Sequence, residues 1–296
     1  MKARSHSPGR LGKALRGLAG VLLLASTAEA TWSIVVVDTA TGEVCVATAT
    51  CLSGFSIADA VPVVVVGKGA AGAQSFIDQS GQNRVLIRDG LLAGDDPATI
   101  LANLAATDSG HNTRQYGIVS LTGGPPVAYT GGAAMFAKKH TVGEAGTLRY
   151  AIQGNALAGQ AVIDAAEEAL LETEGDLATR VMASMQAARF MGGDGRCSCS
   201  GLMPASCGAP PPSFTHSAYT SCIMIARPGD TDGTCGIGGC AEGSYFLRET
   251  VTGTIIHPDP VQTLGRLVSQ WRIAKRGRPD HVNTEVTPQA THLPAD

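Results

Sequence analysis

The sequence predicts an α+β fold in which antiparallel sheets are covered by helices. Three observations carry that prediction. Strand-like segments come mostly as hairpins, helix-like segments fall between groups of hairpins, and no internal repeat or linker divides the chain between Thr31 and Ala274. Of 296 residues, 44% are hydrophobic and 16% charged, which is ample apolar material for a core and too little charge for a disordered chain. The 37 glycines and 4% aromatics point to tight turns and close-packed small side chains. The formal charge of −3 leaves no basic stripe for nucleic acid. No Gly-X-Y period and no long heptad run is present.

The elements follow in order. Residues 32–38 (WSIVVVD) are rich in β-branched side chains and read as a strand. A turn at 38–42 leads into an alternating partner at 43–50 (EVCVATAT). Residues 61–66 (VPVVVV) read as a buried strand. Asp96 as cap and Pro97 at the first helical position open a helix through Ala106, with Ile100, Leu101 and Leu104 on one face. Residues 116–121 and 127–130 form a second hairpin around Gly123-Gly124-Pro125-Pro126, and 149–153 is a short strand. Residues 160–171 and 177–190 are consecutive amphipathic helices, and 217–226 and 245–251 are strands. Asp259-Pro260 repeats the cap signal and opens a helix through Ala274. We therefore expect one domain over 31–275 and a disordered tail over 276–296.

The first thirty residues have the form of a secretory leader. Lys2, Arg4, Arg10, Lys13 and Arg16 precede a short apolar run at 18–25 (LAGVLLLA), and Ala28-Glu29-Ala30 is a small-x-small cleavage pattern. The run is far shorter than the roughly 20 residues that a spanning helix needs. Cleavage there leaves a chain with no membrane span and a net charge of −7, secreted or periplasmic. The eight cysteines all lie beyond it: Cys45, Cys51, Cys197, Cys199, Cys207, Cys222, Cys235 and Cys240. An even count in an oxidising compartment predicts disulfides, with the pairing left open. The cluster Cys197-x-Cys199, Cys207 and His216 lacks the paired C-x-x-C spacing of a zinc site, so no metal is expected. The segment 197–216, with Pro210-Pro211-Pro212, reads as a stapled surface loop.

Other motifs have plain explanations. Gly67-x-Gly69-x-x-Gly72 follows a strand, and 84–89 (RVLIRD) reads as a next strand ending at Asp89, as in a dinucleotide site. The segment between is a poor helix, interrupted by Ser80-Gly81, so the glycines read as a tight, close-packed turn and no cofactor is expected. Asp230-x-Asp232-Gly233 lacks the later Glu of a calcium loop. In His257-Pro258-Asp259-Pro260, helix capping accounts for Asp259 and Pro260.

The cleavage point carries the functional signal. A mature chain beginning at Thr31 presents a hydroxyl nucleophile beside its own α-amino group, a base with a pKa of roughly 7.7–8.0. The β-branch restricts the side chain and helps fix the hydroxyl.

Thr31-Trp32-Ser33-Ile34-Val35, then Asp38 and Thr41-Gly42-Glu43, resemble the start of the "domain of unknown function 1028" family, whose members commonly begin Met-Thr-Phe-Ser-Ile. Further blocks continue the likeness in order: Ala73-Gln74-Ser75, Arg114-Gln115-Tyr116-Gly117-Ile118-Val119, Ala128-Tyr129-Thr130-Gly131, Gln153-Gly154-Asn155-x-Leu157-x-Gly159, Gly192-Gly193-Asp194-x-Arg196 and His257-Pro258-Asp259-Pro260-Val261. That family resembles N-terminal nucleophile (Ntn) hydrolases. The resemblance implies a four-layer αββα sandwich with the first strand at its heart. By the same analogy the chemistry is hydrolysis of a small amide or peptide. Thr31 is then the nucleophile, and a backbone N–H, Asn155 or Gln74 holds the oxyanion. Asn155 also suits a turn. Arg114, Asp194 and Arg196 either bind a charged substrate end or form ion pairs. The competing class is a non-catalytic module for cell-wall peptide or glycan. Oligomeric state is left open.

Overall fold

The computed structural model describes residues 31–54, 56–252 and 259–276. The leader, His257-Pro258 and the tail beyond Arg276 lie outside them. The chain opens with a hairpin of β1 (Thr31–Asp38) and β2 (Glu43–Thr50), then a short helix α1 (Ile57–Ala60) and a second hairpin of β3 (Pro62–Val65) and β4 (Gly69–Ser75). Helices α2 (Gln82–Ala93) and α3 (Pro97–Thr107) precede β5 (Arg114–Ser120), β6 (Val127–Thr130), β7 (Lys139–Ala145) and β8 (Leu148–Gly154). Helices α4 (Ala161–Glu172), α5 (Leu177–Phe190) and the single turn α6 (Gly195–Ser198) lead to β9 (Thr220–Ala226), β10 (Leu247–Val251) and α7 (Pro260–Arg276). The fold is mixed α+β with two antiparallel sheets. One has the order β10-β9-β2-β1-β8-β7, and the other β3-β4-β5-β6.

The near-continuous apolar run of β1 follows from burial on both faces. Trp32, Ile34 and Val36 join a cluster with Val162, Val181, Met185 and Leu264 of the helices α4, α5 and α7. Val35 and Val37 alternate to the other face and meet Val64, Ala70 and Val119 of the smaller sheet. The far face of that sheet (Val63, Ala71, Tyr116, Ile118) packs against Ile87 and Leu91 of α2 and Ile100 and Leu104 of α3.

The helix starts are fixed by local chemistry. Asp96 accepts from Ala98 N (2.8 Å), and Asp176 accepts from Thr179 N (2.9 Å). Asp259 accepts from Val261 N (2.9 Å) at the head of α7, and it also holds Ser217 N (2.8 Å) and pairs with Arg189 (3.2 Å). Its cap role therefore extends to tying α5 and the segment before β9 to the same carboxylate.

Two readings of the sequence are corrected. Residues 84–89 are helix, not strand: Arg84, Ile87 and Leu91 recur at helical spacing and are buried, and Asp78 supports the helix start by accepting from Asn83 N (3.0 Å). Of the three glycines expected in a turn, only Gly67 lies in it, at φ 66°, whereas Gly69 and Gly72 belong to β4. The close packing was rightly placed, since a Cβ on Gly72 would come within 2.9 Å of Gln153 Nε2. Strand β7 has no counterpart in the sequence reading. Its alternation of Lys139, Thr141 and Gly143 with His140, Val142 and Glu144 carries little apolar signal because it is a sheet edge.

Ile152, fully buried between β1 and the helices, should be intolerant of truncation. Ile152→Ala is expected to cost about 2–5 kcal/mol in urea unfolding with the disulfides intact, without changing the position of the disulfides.

Candidate active site at the head of the first strand

The space between the sheets changes character along its length. At one end it is filled by valines, and at the Thr31 end by polar side chains. Alternation decides which residues face it: Thr31 and Ser33 from β1, Thr48 and Thr50 from β2, Gln153 from β8 and Thr220 from β9, with Asn155 just past β8. The register aligns Thr31 with Thr50 and Thr50 with Thr220. From the smaller sheet come Gln74 of β4 and Gln115 of β5, which are paired neighbours. Thr31, Ser33, Thr48, Gln115, Gln153 and Asn155 have no exposed surface, and Gln74 has 1%.

Buried polar groups must find partners, and here they find one another. Gln115 Nε2 donates to Gly154 O (2.9 Å), Thr130 Oγ1 (2.9 Å) and Lys139 O (3.3 Å). Gln115 Oε1 accepts from Gln74 Nε2 (2.8 Å) and Asn155 Nδ2 (3.1 Å). Gln74 Nε2 donates its other proton to Thr31 O (2.9 Å), which also accepts from Asn155 N (3.0 Å). Ser33 Oγ lies 2.5 Å from Gln74 Oε1 and 2.9 Å from Thr48 Oγ1, and Thr48 Oγ1 donates to Trp32 O (2.9 Å). Gln153 crosses from the larger sheet to donate to Gly72 O (3.0 Å). Among the described residues, the buried atoms Thr31 Oγ1, Asn155 Oδ1, Gln153 Oε1, Ser75 Oγ and Thr220 Oγ1 of this region have no hydrogen-bond partner. Ser75 also sits at φ 73°, in the left-handed region, beside Gln74.

The residues expected to contact substrate divide into two groups. Asp194 and Arg196 lie at the head of the larger sheet. Asp194 is fully buried and accepts from Cys51 N (2.7 Å), Arg196 N (3.0 Å), Arg196 Nε (3.1 Å) and Arg196 Nη2 (2.8 Å). Burial still pushes its carboxyl above the usual range despite the guanidinium. Arg196 Nη2 reaches Thr50 Oγ1 (3.4 Å), the residue aligned with Thr31. Arg114 belongs to a second ion pair, with Nε 2.8 Å from Asp108 Oδ2 and Nη2 3.2 Å from Oδ1, and it donates to Phe76 O. Arg114, Asn83 and the Gly110 amide hold the Asp108 carboxyl well below its ordinary range. The ion-pair alternative thus describes all three residues as they stand. Sequence reasoning missed Ser33, Thr48, Gln115 and Gln153. The available signal was a polar residue at the inward register of an otherwise apolar strand.

Six of the eight cysteines form disulfides: Cys51–Cys197, Cys199–Cys207 and Cys235–Cys240. The expected disulfides are thus present, while Cys45 and Cys222 are buried thiols. They sit on adjacent strands but on opposite faces, Cys45 toward the helices and Cys222 toward the smaller sheet. Cys51–Cys197 anchors the Asp194–Arg196 segment to the end of β2. No group of three or more His, Cys, Asp or Glu able to hold a metal occurs among the described residues, and none of their helices is long and apolar enough to cross a membrane. Two clefts lie away from Thr31. One of about 570 Å³ runs between α2 and α3, and one of about 380 Å³ lies between α1, residues 77–79 and the 235–240 turn.

A mixed α+β protein with two antiparallel sheets and a sealed polar cluster at the head of its first strand is the class defined so far. The model of the "Family of unknown function (DUF1028)" matches residues 31–206, and the chain belongs to that family. The chain is also similar to the crystal structure of a Silicibacter pomeroyi protein labelled with the same family. That likeness has a TM-score of 0.58 and 18% identity, and covers 85% of this chain and 91% of the other. No curated protein matches.

Two measurements test this account. A lowered Asp108 pKa means stability that is present at neutral pH and lost as pH falls through the acidic range. Asp108→Asn should therefore lower stability at neutral pH and flatten its decline below about pH 4, read from denaturation curves at several pH values. Cys51→Ser should cost about 2–5 kcal/mol on thermal or urea unfolding.

Proposed function

We propose that the protein is an exported Ntn-type amidohydrolase, matured by cleavage after Ala30 and using Thr31 on a small amide or peptide. The observation that carries this reading is the Thr31 hydroxyl: buried, without a hydrogen-bond partner, at the first position of a central strand, and facing a polar cluster. Supporting it are the start of the family match at Thr31 and the leader pattern that ends one residue earlier. The three disulfides accord with an extracellular or periplasmic location. In this reading residues 31–275 form one domain with the four-layer αββα arrangement of Ntn hydrolases. The packing of α4, α5 and α7 on one sheet and α2 and α3 on the other supports that arrangement.

In the proposed step the Thr31 hydroxyl attacks the amide carbonyl while its α-amino group accepts the proton. The protonated leaving amine departs, and water hydrolyses the resulting ester. Both amide protons of Gln74 are committed, one to Thr31 O and one to Gln115 Oε1. Gln74 thus acts as a positioning residue, and oxyanion stabilisation falls to Asn155 or a backbone N–H. Asp194 and Arg196 hold the end of β2 that pairs with Thr31.

A second reading is favoured by the α2–α3 groove, which lies across the smaller sheet from Thr31 and mixes Asn83, Asp89, Asp95 and Asn103 with an apolar floor. In that reading the protein is a binding module for cell-wall peptide or glycan and has no chemistry. The N-terminus of the exported protein should be Thr31 by intact mass. In an amide-library screen, Thr31→Ala and a variant with one alanine inserted before Thr31 should each lose at least about a thousandfold in rate. Ligand retention by both variants, with no hydrolysis by the native protein, would establish the binding module instead.

A further inference from the structure

We infer that Asn155 serves the mature Thr31 as a hydrogen-bond acceptor, through Oδ1, and that Gln115 is the positioning residue that imposes this orientation. The inference rests on the Thr31 reading above and assigns the polarity of its surroundings.

The two ends of an amide side chain have nearly the same shape, so partners decide which end points where. Gln115 settles the question for the whole cluster. Its Nε2 faces Gly154 O and Lys139 O, which are backbone carbonyls and only accept. Its Oε1 therefore faces the opposite way, where only donors are tolerated, and Gln74 and Asn155 both turn an NH2 group toward it. For Asn155 the result is that Oδ1 points away from Gln115 and remains buried without a donor. Gln153 Oε1 is also buried without a donor, but it belongs to the side chain that crosses to Gly72, whereas Asn155 Oδ1 belongs to the residue whose N–H holds Thr31 O.

Asn155 stands opposite Thr31, its N–H on Thr31 O at 3.0 Å, and both side chains face the smaller sheet. Neighbours so placed have Cβ atoms about 5 Å apart. Cleavage before Thr31 replaces one amide N–H by an amine that carries two protons, or three when charged. Asn155 Oδ1 is a buried acceptor for the new N–H at that strand end. Holding the amine by one of its protons directs its lone pair toward the Thr31 hydroxyl, which also lacks a partner. Asn155 is then a positioning residue for the base, and the oxyanion is left to a backbone N–H.

The test needs no substrate. A β-lactone acylates an N-terminal threonine: the hydroxyl oxygen attacks the lactone carbonyl, the ring C–O bond breaks, and the hydroxyl proton passes through the amine to the released alkoxide. Thr31 becomes a β-hydroxy ester and gains the whole mass of the lactone. Rates are read by intact mass on the mature protein, with thermal unfolding as the check of folding. In a Gln115→Met background, which removes the oxygen that excludes acceptors, Asn155→Asp keeps acceptor oxygens and is expected to retain the acylation of Gln115→Met, with its pH profile displaced upward because a carboxylate steadies the ammonium form. Asn155→Leu should lose about 10–100-fold, the worth of a hydrogen bond to a charged group. Gln115→Met alone, which frees Asn155 to turn over, should fall between the native protein and Asn155→Leu. Loss of about 10²–10³ in Gln115→Met/Asn155→Asp relative to Gln115→Met at every pH would mark an oxyanion donor and overturn the inference while leaving the Thr31 reading intact. Absence of acylation in the native mature protein would overturn that reading itself, and this inference with it.

Discussion

Amide and hydroxyl groups sealed between two sheets must satisfy one another, because water cannot reach them. This constraint organises the Thr31 end of the protein. A valine-filled interface would tolerate small sliding of one sheet over the other, but a hydrogen-bonded one does not. Gln115 meets two backbone carbonyls of the larger sheet while Gln74 meets a third at Thr31, so the sheets are keyed in both position and polarity. Low local dielectric strengthens each of these bonds and raises the cost of breaking any one of them.

The end of β2 that pairs with Thr31 is held from outside as well. Asp194 joins the backbone at Cys51 to the Arg196 guanidinium, and Cys51–Cys197 fastens the same segment covalently, from Cys51 itself to the residue after Arg196. On the other sheet, Asp108 and Arg114 brace the start of β5 next to Gln115. Both ion pairs lie beside the cluster and not in it. They supply rigidity, while the neutral amides supply the directional contacts to Thr31.

Much of the fold was legible in the sequence because the responsible signals are local. Asp96-Pro97 and Asp259-Pro260 cap helices through their own side chains, and the β1–β2 hairpin follows from alternation across a short turn. Helix α2 was misread because its apolar face is narrow and it begins at a left-handed glycine without a side-chain cap. Strand β7 was missed because an edge strand has little to bury. The family, Thr31 and the placement of Asn155 and Gln74 beside it were reachable from ordered sequence blocks. Gln115 stood inside one of those blocks unremarked. Its importance depends on contacts with residues 74, 130, 139, 154 and 155, which no periodicity within β5 encodes. Cys45 and Cys222 show the same limit, since face, not count, decides whether two thiols meet.

Gln153 enters the smaller sheet over Gly72 and Gly117, which are paired across β4 and β5, and a methyl group on either glycine would collide with its amide. Three positions far apart in the chain therefore behave as a single unit of variation. Among descendants of this sequence, a larger residue at 72 or 117 requires the Gln153 amide to move aside or shorten, and at 117 it also meets the Ala151 methyl group, so change at one of these positions is felt at the others.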